Sequence, residues 1–161
     1  MKLARTGIIA AAVLAVASVA FAQKPDFSGT WTPDASAMTP PATGTGGGGG
    51  GRGRGMAGPM TVKMAGDTLT IERTMGENKI VSTYKLDGTE SVNKQTMRGA
   101  EIEVKAIAKW DGDKLTITET RTGQGGNVME TTQTWSLDGG NLVIERTGGR
   151  GASKQVYKKT T

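Results

Sequence analysis

The chain has 161 residues and neither cysteine nor histidine, which excludes disulfides, zinc centres of the usual Cys/His kind, His-ligated haem and nucleophilic catalysis by Cys/His or Ser/His. Lys and Arg number 20 against 15 Asp and Glu, a formal charge of +5, too slight a surplus to imply nucleic acid or a membrane surface as partner. Apolar residues are 35% of the chain and crowd into its first 22 positions, so the remainder is one domain with a small core.

Residues 1–22 read as an export signal. Lys2 and Arg5 precede an apolar stretch over 8–19, and Ala20-Phe21-Ala22 supplies small residues at the two positions that signal peptidase reads. Cleavage before Gln23 delivers the protein to the periplasm or the exterior. The apolar stretch falls short of the roughly 20 residues that span a bilayer, so the mature form carries no membrane span. Without Lys2 and Arg5 its charge is 18 − 15 = +3.

A first strand is predicted within 23–32. Composition then shifts: residues 33–59 hold ten glycines, four of the five prolines and an unbroken glycine run over 46–51, and such a stretch reads as a flexible, disordered loop without a packed structure. Its Arg52 and Arg54 sit among glycines as in RNA-binding segments, but no aromatic residues interleave them, and a surface loop is the simpler reading. Chance Gly-x-Gly-x-x-Gly matches there lack the strand-turn-helix frame of a nucleotide site.

From residue 60 to 161 the pattern is strand after strand, rich in Thr, Val and Ile, with no helical periodicity. Strands are expected near 60–65, 79–86, 100–110, 127–137 and 153–159, with 90–95 open between strand and loop. Three further strands begin in a recurring unit, a tight turn feeding Leu69-x-Ile71-x-Arg73, Leu115-x-Ile117-x-Glu119 and Leu142-x-Ile144-x-Arg146. An all-β, antiparallel up-and-down meander of about 8–10 strands follows. Closing it into a barrel removes both exposed edges and satisfies the ladder; a β-sandwich or half-open roll is the alternative.

Alternate strands of a meander run the same way, so the turns Asp87-Gly88, Asp111-Gly112 and Asp138-Gly139 share one end. The longer, glycine-rich links at 75–78, 122–126 and 148–151 then ring the other end, as loops around a mouth. Near the turns Trp31, Leu86, Trp110, Trp135 and Leu137, with Leu69, Leu115 and Leu142, form an apolar plug. Further up, Arg73, Glu119, Arg121 and Arg146 give the interior a polar upper part, with Thr131 and Gln133 at comparable height. Charges inside a barrel must be paired or face water or a ligand.

Phe27-Ser28-Gly29-Thr30-Trp31 resembles the first-strand Gly-x-Trp motif of the calycin superfamily, the lipocalins and fatty-acid-binding proteins. Lys109-Trp110-Asp111-Gly112, Leu142-Val143-Ile144-Glu145 and Val156-Tyr157-Lys158-Lys159 resemble the fatty-acid-binding branch, and the whole chain looks like uncharacterised secreted bacterial lipocalin-like proteins. The resemblance implies a barrel with the Trp across its closed end and a small-molecule ligand. That branch carries a helical lid after the first strand and an Arg-x-Tyr on the last. Here the first interval is the glycine-rich segment and the last strand reads Gln155-Val156-Tyr157. Tyr157 matches; an acidic headgroup would need Arg73, Arg121 or Arg146.

No catalytic arrangement emerges. Asp111-Gly112-Asp113 is a turn signature without the spacing of a calcium loop, and Ser82, Ser91 and Ser136 have no recognisable base nearby. The expectation is a non-enzymatic, monomeric barrel without cofactor or metal, binding a small apolar or amphipathic molecule, with Arg73, Glu119, Arg121, Arg146 and Tyr157 at the ligand's polar end and the plug beneath its carbon chain. The alternatives are an interaction module of the cell envelope with a filled barrel, and an inhibitor of a secreted hydrolase.

Overall fold

A computed structural model describes residues 24–39, 58–75, 78–97, 100–123, 126–149 and 151–160. The signal at 1–22 lies outside these residues, as does most of the glycine-rich segment, from 40 to 57. Ten antiparallel strands follow one another: β1 Gly29–Pro33, β2 Met60–Ala65, β3 Thr68–Met75, β4 Asn78–Lys85, β5 Glu90–Met97, β6 Ala100–Asp111, β7 Lys114–Thr122, β8 Val128–Asp138, β9 Asn141–Gly148 and β10 Gly151–Thr160. The stretch left open between strand and loop is thus a strand, β5.

They form one sheet in the order β4-β3-β2-β1-β10-β9-β8-β7-β6-β5. The first and last strands are joined, with Trp31 opposite Lys159 and Pro33 opposite Tyr157. The ladder stops instead between β4 and β5, although the two are consecutive in sequence. The expectation that closure satisfies every ladder hydrogen bond therefore fails at this seam, which side chains bridge.

Positions in phase with Leu69, Leu115 and Leu142 turn inward because alternation leaves one face of each strand apolar. Turns at Gly66-Asp67, Gly112-Asp113 and Gly139-Gly140, with glycine φ values of 56°, 62°, 56° and 83°, share one end of the barrel with the Asp87-Gly88 turn. At the opposite end the expected long loops are mostly absent. The pairs Met75↔Asn78, Met97↔Ala100 and Gly148↔Gly151 continue the ladder to within two residues of each bend. Apart from the connection between β1 and β2, only the link between Thr122 and Val128 is longer. The chain also leaves β1 and rejoins β2 at this end, Thr39 first bridging Lys154 of β10.

The closed end is built around a residue that the plug expectation omits. Phe27 is fully buried, stacks on Trp110 with ring centroids 5.8 Å apart, and meets Trp135 edge-on at 5.8 Å. Its carbonyl accepts the Trp31 indole N–H at 2.8 Å, and its own N–H points to Met64 Sδ at 3.1 Å. Lys24 and Lys159 lie over the Trp110 and Trp31 rings, 5.5 and 5.6 Å from their centroids, a cation–π arrangement that screens aromatic surface from water. Gly29, at φ +143°, makes the bend from Phe27 into β1, and a Cβ there would run into the Lys159 side chain.

Trp31, Leu86 and Trp135 are buried with Leu69, Leu115 and Leu142, and Trp110 packs partly buried against them. Leu137 departs from the expected plug, being 40% exposed. The β7–β8 ladder ends at Leu115↔Trp135, so Leu137 projects beyond it with only Leu142 opposite, on β9. Sequence alternation assigns Leu137 the inward phase correctly; the stagger carries it past the end of the barrel.

Candidate functional site

The stagger also sets the heights of the charged residues. Ile117, Gln133, Arg146 and Ser153 lie in one row across β7 to β10. Glu119 lies one step higher, in a row that runs from Ala106 through Thr131 to Gly148 and Gly151. Equal offsets in the recurring unit are therefore not equal heights. Because that upper row ends in glycines on β9 and β10, no side chain from those strands enters there, and the interior opens.

The opening is a cavity of about 580 Å³ whose wall includes Ile71, Arg73, Ile80, Tyr84, Gln95, Val104, Glu119, Arg121, Met129, Arg146, Gly148 and Gln155. Leu69, Leu115, Ile117, Leu142 and Ile144 are each fully buried and outside its wall, so the lower half of the barrel is solid. Four of the five residues expected at a ligand's polar end, Arg73, Glu119, Arg121 and Arg146, line the cavity. Tyr157 does not. It is fully buried opposite Leu142, in the plug layer, and only its hydroxyl rises to donate to Gln155 Oε1 at 3.1 Å.

Glu119 is the hub. It accepts hydrogen bonds from Tyr84 Oη at 2.7 Å on Oε1 and from Gln133 Nε2 at 3.0 Å on Oε2, and Arg146 Nη2 stands 3.9 Å from Oε2. Gln133 Oε1 in turn accepts the Trp135 indole N–H at 3.4 Å, tying the carboxylate to the plug. Burial pushes the Tyr84 hydroxyl above its ordinary pKa and the adjacent Glu119 charge adds to the effect, so Tyr84 is held as a donor. Burial also raises Tyr157, against the pull of Arg73 and Arg146. Desolvation lowers Arg146, with Glu119 opposing it, and arginine stays charged regardless.

Arg73 is differently placed. Its Nη2 reaches only the thioether of Met60, at 3.6 Å, and its Nε is buried with no hydrogen-bond partner among the described residues. A thioether is a weak acceptor, so this guanidinium has strong donor capacity facing an enclosed space. The inward-facing charges of the cavity are three arginines and one glutamate, a balance of +2, with Glu130 at the rim in the outward phase. Sequence reasoning overlooked Tyr84, Gln95 and Gln155. The alternation Ile80-Ser82-Tyr84-Leu86 pointed Tyr84 inward, but nothing in it signalled the reach of its hydroxyl to β7.

No protein-family model and no curated protein matches the sequence. Among solved structures the chain is similar to the REP1-NXSQ fatty acid transporter, at 14% identity and TM-score 0.57, over 83% of this chain and 96% of that one. The likeness is one of fold: both are antiparallel β-barrels. A point mutant of the same transporter superposes comparably, with 15% identity, TM-score 0.55 and coverage of 83% and 97%. Secretory abundant heat soluble protein 4 from Ramazzottius varieornatus has 16% identity and TM-score 0.54, over 83% of this chain and 94% of that one. At such identities the likeness is one of architecture alone.

Proposed function

We propose that the protein is an exported carrier that reversibly binds a small anionic amphiphile in this cavity. The observation that carries the reading is the half-buried Arg73 guanidinium, its buried Nε without an acceptor among the described residues, on the wall of a 580 Å³ space. Volumes of roughly 300–1,000 Å³ are typical of small-molecule sites, and a filled interaction module would have no such space. The similarity to a fatty acid transporter is consistent with an apolar ligand.

The orientation is the reverse of the one expected from sequence. With the lower half packed solid, an anionic head meets Arg73 and Arg146, while carbon atoms lie against Ile80, level with Arg73, and against Val104 and Met129, two steps above Arg146 and beside Arg121. Burial of those carbons supplies affinity at roughly 25 cal/mol per Å², and charge-assisted hydrogen bonds fix the head. Binding and release need no covalent step.

Native mass spectrometry of protein purified from its own host should reveal a co-purifying small anion. With anilinonaphthalene sulfonate as a fluorescent probe, Arg73→Ala should weaken binding roughly tenfold or more, the worth of one charge-assisted hydrogen bond, while the uncharged anilinonaphthalene is unaffected. Equal affinity of both proteins for the anionic probe would refute the assignment.

A further inference from the structure

The β4–β5 seam is closed by side chains of graded length. On β5, Ser91, Asn93 and Gln95 all point inward, spaced two apart. Ser91 Oγ accepts the Lys85 N–H at 2.8 Å; the Asn93 amide accepts the Thr83 N–H at 2.7 Å and donates to the Thr83 carbonyl at 3.0 Å; Gln95 Nε2 donates to Ser82 Oγ at 3.3 Å. The shortest side chain stands next to the turn and the longest nearest the open end, as expected for two strands that diverge from a common bend. Asn93 offers Thr83 one acceptor and one donor, the pair that a neighbouring strand's backbone would offer. Ser91 and Asn93 are each only 7% exposed, so the bridge is sealed against water.

Among the described strands this is the junction of the barrel without a backbone ladder. Elsewhere neighbouring strands are held by a cooperative ladder, whereas here parting them breaks a few side-chain bonds and leaves every strand in its own ladder. The same line borders the cavity: Ser82, Tyr84 and Gln95 belong to its wall. We infer that the seam is the passage through which the ligand reaches and leaves the cavity, with Asn93 as its latch. The inference rests on the binding reading above. Asn93 itself lies outside the cavity wall, so it acts on the rate of passage and not on the bound state.

A latch affects association and dissociation alike, which separates it from a contact residue. In stopped-flow measurements with anilinonaphthalene sulfonate, Asn93→Ala should raise both rate constants at least fivefold and leave Kd within twofold. The chain has no cysteine, so thiols placed on the outer face by Thr83→Cys and Val92→Cys can be joined with a short bis-thiol cross-linker. Joining them should slow both rates at least tenfold relative to the uncross-linked double variant. Unchanged rates in both experiments would overturn the inference and place the passage at the open end. Amide exchange gives a reading that needs no ligand and only the wild-type chain. The N–H groups of Thr83 and Lys85 should exchange at least a hundredfold faster than those of the laddered strands β7 and β8; exchange at the common global rate would overturn it. Should the probe not bind the wild type at all, the carrier reading falls and the passage with it, while fast exchange at Thr83 and Lys85 would mark the failure as one of ligand and not of the opening wall.

Discussion

Replacing Glu119 by Gln keeps the side chain's shape and removes its charge, and the structure predicts opposite effects on stability and binding. Arg146 and Glu119, 3.9 Å apart with side chains 14% and 17% exposed, attract by about 4 kcal/mol at an effective permittivity of ~20. Part of that is offset by the desolvation the pair no longer requires. An amide also has one acceptor where the carboxylate has two, so the donor from Tyr84 or from Gln133 loses its partner, at about 1–3 kcal/mol. A net loss of about 3 kcal/mol follows, or roughly 10 °C in Tm for a domain of this size. Binding should move the other way. The inward charge rises from +2 to +3, and a sulfonate head about 6 Å from the lost carboxylate is relieved of up to ~3 kcal/mol of repulsion at the same permittivity, about half of it after screening. Urea denaturation should therefore show a destabilised protein, and titration with anilinonaphthalene sulfonate an affinity about tenfold higher, with the gain shrinking as salt is added. An affinity that falls together with stability would refute the reasoning, because Glu119 would then be holding the ligand and not opposing it.

Phe27→Ala removes the centre of the closed end and should cost about 4 kcal/mol in urea denaturation, the usual loss for a fully buried Phe with two ring partners; a loss below about 1.5 kcal/mol would show that the end collapses without it. Leu142→Ala and Leu137→Ala, paired across β8 and β9, should differ sharply: about 3 kcal/mol for the fully buried Leu142 and under about 1 kcal/mol for the half-exposed Leu137. Equal losses would contradict the stagger. Tyr84 and Tyr157 are raised above their ordinary values by burial, so the stability they contribute is present below the unfolded tyrosine value near ~10 and is lost as pH rises through the folded values. Equilibrium unfolding followed upward from pH 9 should steepen, and Tyr84→Phe should lessen the slope by about 1.4 kcal/mol per pH unit; an unaltered slope would mean that the hydroxyl titrates freely in the folded state.

Most of the architecture was legible because alternation is a local signal. Leu69-x-Ile71-x-Arg73 states which face is inward without reference to any other strand, and the same holds for β7 and β9. Height is not local. It depends on the stagger between strands, which shifts Arg146 one step below Glu119 and pushes Leu137 past the end, and no single strand's sequence records it. The seam was hidden for a related reason. Ser91, Asn93 and Gln95 read as polar residues in a doubtful strand, and their graded lengths acquire meaning only once β4 is known to lie opposite with its backbone unpaired. Phe27 stood in plain view within the predicted first strand, in phase with Trp31, but nothing in that segment signals the bend at Gly29 that lays its ring between Trp110 and Trp135.

The division of the barrel into a solid half and a hollow half follows from a shortage of apolar side chains. Few are available, and the largest of them, Phe27, Trp31, Trp110 and Trp135, are spent at one end with the leucines and isoleucines of the recurring unit. That concentrated core secures the fold, and above it the strands are held by their ladders, the Glu119 contacts and the side-chain bonds of the seam. Above the plug the inward positions carry Arg73, Glu119 and Arg146, whose charges resist close packing, and Gly148, which contributes no side chain. A cavity there is the direct result, with its polar groups at the depth where packing stops. The same economy bears on the seam: with stability concentrated at the closed end, the upper edges of β4 and β5 can part without disturbing the core, and the wall that gives way is the one bordering the cavity.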